Sequence, residues 1–163
     1  MRKCWILVLV GLLLSGCAAA ETFETVDDAL VQPVVNAQRE IILSVPDSAA
    51  AEVMVSEDGG QLYFCDGYTM TVQILTGGDT DRSIESLCGY TPDALTILQT
   101  QDGSWKRQEW VWVSAGEGGE QLGRGALLDD GSYHYCLTVM ADADEAGVLE
   151  AEWDGVFASF GIA

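Results

Sequence analysis

Basic residues are scarce in this chain of 163 residues: 7 Lys and Arg stand against 26 Asp and Glu, a net charge of −19 with the one histidine neutral. A surface that neutralises nucleic-acid phosphates needs clustered Lys and Arg, so the deficit argues against nucleic acid as a partner. Long apolar runs are missing as well. The longest, Trp5 to Leu14, holds ten residues, about half of what a helix needs to cross a hydrocarbon core of about 30 Å. With a single histidine, every His-based mechanism has to pass through His134. What the chain does have is a hydrophobic share of 48%, enough for one folded domain with a real core and too much for global disorder.

The apolar run has a specific setting. Arg2-Lys3 gives a short positive segment, the run follows, and Leu14-Ser15-Gly16-Cys17 closes it. This is the layout of a signal peptide, which is set aside in fold reasoning. The cysteine directly after Leu-Ser-Gly resembles the lipobox of bacterial lipoproteins. The resemblance implies cleavage between Gly16 and Cys17, acyl groups on Cys17, and a mature protein anchored to the bilayer without spanning it. Two or more acyl chains anchor stably, at about 0.8 kcal/mol per buried CH₂. Cleavage would also remove Arg2 and Lys3, leaving five bases against 26 acids over residues 17–163. Anionic headgroups repel such a surface, so the lipid has to do the anchoring. The expected location is extracytoplasmic, on a bacterial membrane. The whole chain is also similar to small lipoproteins of anaerobic bacteria.

Residues 17–38 show no sustained period and read as a lipidated N-terminus with an acidic tether. From Arg39 to Ala163 the chain reads as a single α+β domain. Short β-rich runs are separated by turn signals: Glu40 to Val45 before Pro46, Glu52 to Ser56, Gln61 to Cys65, Tyr68 to Leu75, Ala94 to Thr100, Lys106 to Ser114, Gln121 to Leu128 and Tyr133 to Met140. Asp66-Gly67, Asp102-Gly103, Gly116 to Gly119 and Asp129-Asp130-Gly131 supply the turns. Two segments break the pattern. Asp79 to Cys88 sets Ile84, Leu87 and Cys88 at helical spacing, with Asp79 or Thr80 as N-cap and Gly89 as the stop. Leu149, Trp153, Val156, Phe157 and Phe160 form one apolar stripe, and Asp142 with Glu145 is placed as a capping box for it.

The expected architecture is therefore a largely antiparallel sheet of about six or seven strands with two helices packed on it. The early strand closing on a proline (Leu43-Ser44-Val45-Pro46), the aromatic central strands and the final strand running into a helix that finishes Ala158-Ser159-Phe160 resemble the PsbP-like fold. That resemblance implies an α/β/α sandwich and no reaction.

No complete catalytic constellation, cofactor motif or metal motif is present. Ser132 and Asp130 flank His134 with the residue types of a hydrolase triad, yet residues so close on one extended segment cannot align as nucleophile, base and orienter. Strand alternation puts Tyr133, Tyr135, Leu137 and Val139 on the core face and leaves His134 opposite, partly exposed. Three cysteines follow Cys17, and two arrangements are open for them: a cross-strand bridge between Cys65 and Cys136 with Cys88 left over, or three buried thiols. A Cys₃His zinc site from Cys65, Cys88, His134 and Cys136 lacks the close ligand pairs such sites use. Asp142 to Gly147 begins like a calcium loop but has Ala146 and Trp153 where oxygens are required, so a helix cap is the better reading. Trp110 and Trp112 share one face of their strand, with Val111 and Val113 on the other. They read as core residues of a strand covered on both sides, and as a ligand platform if one face is open. The function expected on these grounds is a binding or assembly module with an envelope protein as partner. A small-ligand or cation binder and a carboxylate-dependent hydrolase of envelope polymers stand as alternatives.

Overall fold

A computed structural model describes residues 36–49, 54–55, 60–116 and 118–163. The signal segment, Cys17 and most of the tether lie outside the described residues. The folded body is an α+β domain. Its main sheet has seven antiparallel strands: β2 (Met54–Val55), β3 (Gln61–Phe64), β4 (Tyr68–Thr76), β5 (Ile97–Asp102), β6 (Trp105–Gly116), β7 (Gly119–Asp129) and β8 (Tyr133–Asp142). Their order across the sheet is β2-β3-β4-β8-β7-β6-β5. The run at Glu40 to Val45 shrinks to β1 (Ile41–Ile42), which pairs outside that sheet with β9 (Gly161–Ile162), a strand the sequence pattern did not announce. Tight turns fall where glycine accepts a positive φ, 81° at Gly67 and 88° at Gly131.

The two helices cover opposite faces of the sheet. Helix α1 (Thr80–Cys88) is capped by the Asp79 carboxylate, which accepts from the Asp81 amide, and stops at Gly89 with φ 78°. It packs Ile84 against Trp110, Leu127 and Cys136. Helix α2 (Ala146–Ser159) lays Trp153, Val156 and Phe157 on the other face, against Tyr68, Met70, Tyr135, Leu137 and Val139. The expected capping box does not form: Asp142 ends β8, and Glu145 precedes α2 without a side-chain cap bond. Instead, the far end of α2 is held from the sheet. Arg107 donates to the Phe160 carbonyl (2.9 Å) and the Phe157 carbonyl (2.7 Å), placing a cation on the negative end of the helix. Arg124 pairs with Glu109 and with Asp154 of α2, and its guanidinium lies 4.3 Å from the centre of the Phe157 ring.

The body starts ahead of Arg39. The Asn36 amide donates to Ser132 Oγ (2.8 Å), Asn36 Nδ2 donates to the Asp130 carbonyl, and the Arg39 amide donates to the Tyr135 hydroxyl oxygen. The anchoring point is Asp130. Although burial opposes its charge, amides of Ser132 and Tyr133, the Tyr135 hydroxyl and Arg39 hold its carboxyl below the ordinary range.

Candidate binding groove at the β6 edge

Trp110 and Trp112 are buried, 1% and 6% exposed, on the face that α1 covers. They stand opposite Gly125 and Gly123 of β7, and a Cβ at either glycine would lie 2.5 Å or closer to the facing indole. Each ring thus lies on bare backbone, and the glycines are needed for that close approach. The pair is packed in the core instead of standing open as a platform, yet both residues also line the cavity that runs along the β6 edge.

The other face of β6 is where the surface opens. β6 has twelve residues but β5 only six, and the last pair between them is Ile97 with Trp110. Upstream of β5 the chain is turned away by a short 3₁₀ turn, Pro92–Ala94, closed by the Leu95 amide on the Pro92 carbonyl. Val111 to Gly116 therefore pair with β7 on one side and with no strand on the other, among the described residues. Register places Val111 and Val113 beside Arg124 and Leu122, and Glu109 beside Leu98 and Ala126. These side chains share the α2 face; α2 covers Ala126 and meets Arg124, while Leu98 is 64% exposed, Val111 52% and Val113 47%. A cavity of about 770 Å³ follows this edge, with Tyr90 and Leu95 on its outer wall. A second, of about 350 Å³, shares Val111, Leu122 and Arg124 with it and continues to Gly147 and Glu150 at the start of α2. The two share lining residues and make one groove, in which the aliphatic side chains stand beside Trp110, Trp112 and Trp153 and the charged Glu109, Arg124 and Glu150.

The remaining candidate residues do not converge. Cys65 packs on the α2 face and Cys136 on the α1 face, and both are free thiols; of the two arrangements left open, the bridge does not form, and of the thiols only Cys136 is fully buried. The sheet itself separates Cys65 from Cys136. The same separation takes Cys65 away from His134 and Cys136, so the four zinc-type residues never meet. Burial pushes the Cys136 thiol up to about 12. It raises Cys65 too, against a bond with Tyr68, whose hydroxyl donates to Glu152 (2.8 Å).

His134, expected to be partly exposed, is fully buried, because α1 covers this end of the second face. Its Nδ1 lies 2.8 Å from Ser83 Oγ of α1, and its Nε2 is 3.8 Å from Asp129. Burial lowers its pKa, with Asp129, Asp130 and Asp79 offsetting only part of the effect. The serine, histidine and aspartate come from three elements, a grouping that neighbours in sequence could not reveal. Ser83 is itself buried and its hydroxyl is committed to the imidazole. The Ser83–His134 contact ties α1 to the sheet.

No protein-family model matches the chain, and no curated protein matches it. Among solved structures, the chain is similar to the solution structure of the cyanobacterial PsbP protein (CyanoP) from Synechocystis sp. PCC 6803, at 12% identity and a TM-score of 0.43, over 74% of this chain and 98% of that one. Nothing about activity follows from a likeness of that degree.

Proposed function

We propose that the protein is a lipid-anchored module of the bacterial envelope whose folded domain binds a partner protein through the groove on β6. The observation that carries the binding role is the groove itself: exposed Leu98, Val111 and Val113 form the floor of a cavity of about 770 Å³. Soluble domains rarely leave large side chains exposed together in a concave setting unless something covers them. The anchor rests on the lipobox-like Leu14-Ser15-Gly16-Cys17. The volume also falls within the range of small-molecule sites, which favours an apolar ligand as a second reading.

Two measurements on the protein in its native membrane test the proposal. Intact mass should equal residues 17–163 plus acyl groups; a mass without lipid removes the anchor. A photoreactive residue at Val113 should form a protein adduct in cells, while one at exposed Glu85 on α1 should not. Adducts from both positions alike, or from neither, would remove the groove as the site.

A further inference from the structure

Building on the groove reading, we infer that the partner enters as an extended strand, adding antiparallel to Val111 to Gly116 and carrying aliphatic side chains flanked by Lys or Arg. The backbone supplies the first argument. Amides and carbonyls alternate in direction along a strand. The Tyr90 hydroxyl donates to the Val113 carbonyl at 2.7 Å, which shows that this carbonyl faces away from β7 and into the open slot. By the two-residue period, the polar groups of Val111 and Ala115 face the same way. No hydrogen bond from the described residues outside the sheet reaches those two.

Exposed edges are normally blunted by lysine, proline or inward-pointing charge. Here the edge reads Val111-Trp112-Val113-Ser114-Ala115-Gly116 and contains none of these. At about 3.3 Å per residue it offers roughly 20 Å of pairing length. Among the described residues, the Tyr90 side chain reaches into the slot, and Ala94, Leu95 and Thr96 border the cavity there. An added strand would continue the line of β5 and set alternate side chains on the α2 face, beside Val111 and Val113 of β6.

Charge decides the occupant. The one base at the rim, Arg124, is already held by Glu109 (3.1 Å) and Asp154 (2.6 Å). Exposed Glu150 lines the second cavity, exposed Asp93 adjoins the lining residue Ala94, and exposed Glu120 pairs across from Ala115 of the edge; none has a cation in reach among the described residues. The free charge at the rim is therefore negative, on a chain whose net charge is −19. A second copy would bring the same acids against these, whereas a basic-flanked segment of another protein is attracted.

The test is a titration of the full-length ¹⁵N-labelled protein, held in a nonionic detergent, with a synthetic peptide of alternating valine and threonine flanked by lysines. The amides of Val111, Val113 and Ala115 should shift and gain exchange protection. Methylating the peptide's slot-facing amide nitrogens should weaken binding by about tenfold or more, since it removes several hydrogen bonds at once. Tyr90→Phe removes only the hydroxyl and frees the Val113 carbonyl, so binding should tighten by a few fold. Raising salt should weaken it. Equal binding of the methylated peptide, with groove side chains still shifting, overturns strand addition and leaves the groove reading standing. Shifts of the same amides with protein concentration alone would make a second copy the occupant. Absence of any shift along β6 overturns the inference, and the photo-adduct at Val113 then separately decides whether the groove binds at all.

Discussion

His134 shows what burial does to a single ionisable group. Its folded pKa is lowered, while an unfolded chain offers an ordinary imidazole near 6.5. As pH falls below that value, the unfolded state binds a proton that the folded state refuses. Stability should therefore drop with a slope approaching about 1.4 kcal/mol per pH unit. Asp130 works in the other window: its lowered pKa adds stability above about 3.9 that is lost only at more acidic pH. Urea midpoints at pH 7 and pH 5 thus isolate the histidine, and His134→Gln should lose less between them than the parent. An equal loss in both would mean that His134 is not held neutral. Gly125, on the same face of the sheet, gives a steric counterpart. A Cβ at position 125 would sit 2.5 Å from the Trp110 ring, so Gly125→Ala should cost about 1–3 kcal/mol of unfolding free energy. Adding Trp110→Val should recover part of that cost, because the two sites touch and cannot be additive. A double variant with the summed loss would place the strain elsewhere.

Among the elements, α1 is the short one on which much depends, since it covers His134, Cys136 and Trp110. Removing its cap with Asp79→Ala should cost about 0.5–2 kcal/mol. Opening of α1 should also expose Cys136, so alkylation of that thiol, followed by mass, should speed up together with the fall in melting temperature. A fall without faster alkylation would show that α1 frays only at its first turn. The helix was readable in the sequence because its signals are local: an Asp N-cap, apolar spacing, a Gly stop. The strands were readable for the same reason, from alternation and turn glycines, and so was the helix face carrying Trp153, Val156 and Phe157. What escaped were facts of pairing. β9 forms because Ile41 and Ile42 come to lie beside Gly161 and Ile162, across most of the chain. The burial of His134 depends on Ser83, fifty-one positions away, and the placement of Cys65 and Cys136 on opposite faces depends on strand order. The groove was hidden likewise, because an edge exists only once it is known that β5 stops pairing at Ile97. Val111 and Val113 looked like ordinary alternation on a covered strand, with nothing local to mark one side as open.

At the scale of the whole molecule, the net charge of −19 sets up a contest that salt can decide. Excess charge of one sign repels itself and weakens the compact state. The attractive pairs that salt would also screen are few. Arg107 with Glu109 (2.6 Å) and Arg124 with Asp154 and Glu109 are short and partly buried, hence little screened, while exposed Arg82 with Asp79 at 3.9 Å contributes little at any salt. Screening should therefore remove more repulsion than attraction. Raising NaCl from about 10 to about 200 mM shortens the screening length from about 30 Å to under 10 Å, and the melting temperature should rise by about 2–8 °C over that interval, the shift that roughly 1 kcal/mol produces in a domain of this size. The rise should level off above that range, which separates charge screening from the general stabilisation that excluded solutes produce at all concentrations. A melting temperature that falls over the same interval would mean that the Arg107, Glu109, Arg124 and Asp154 network outweighs the repulsion. α2, which that network ties to β6 and β7, would then be the element that salt releases first, and the loss of Trp153's share of the fluorescence, taken as the difference from Trp153→Phe, would report it.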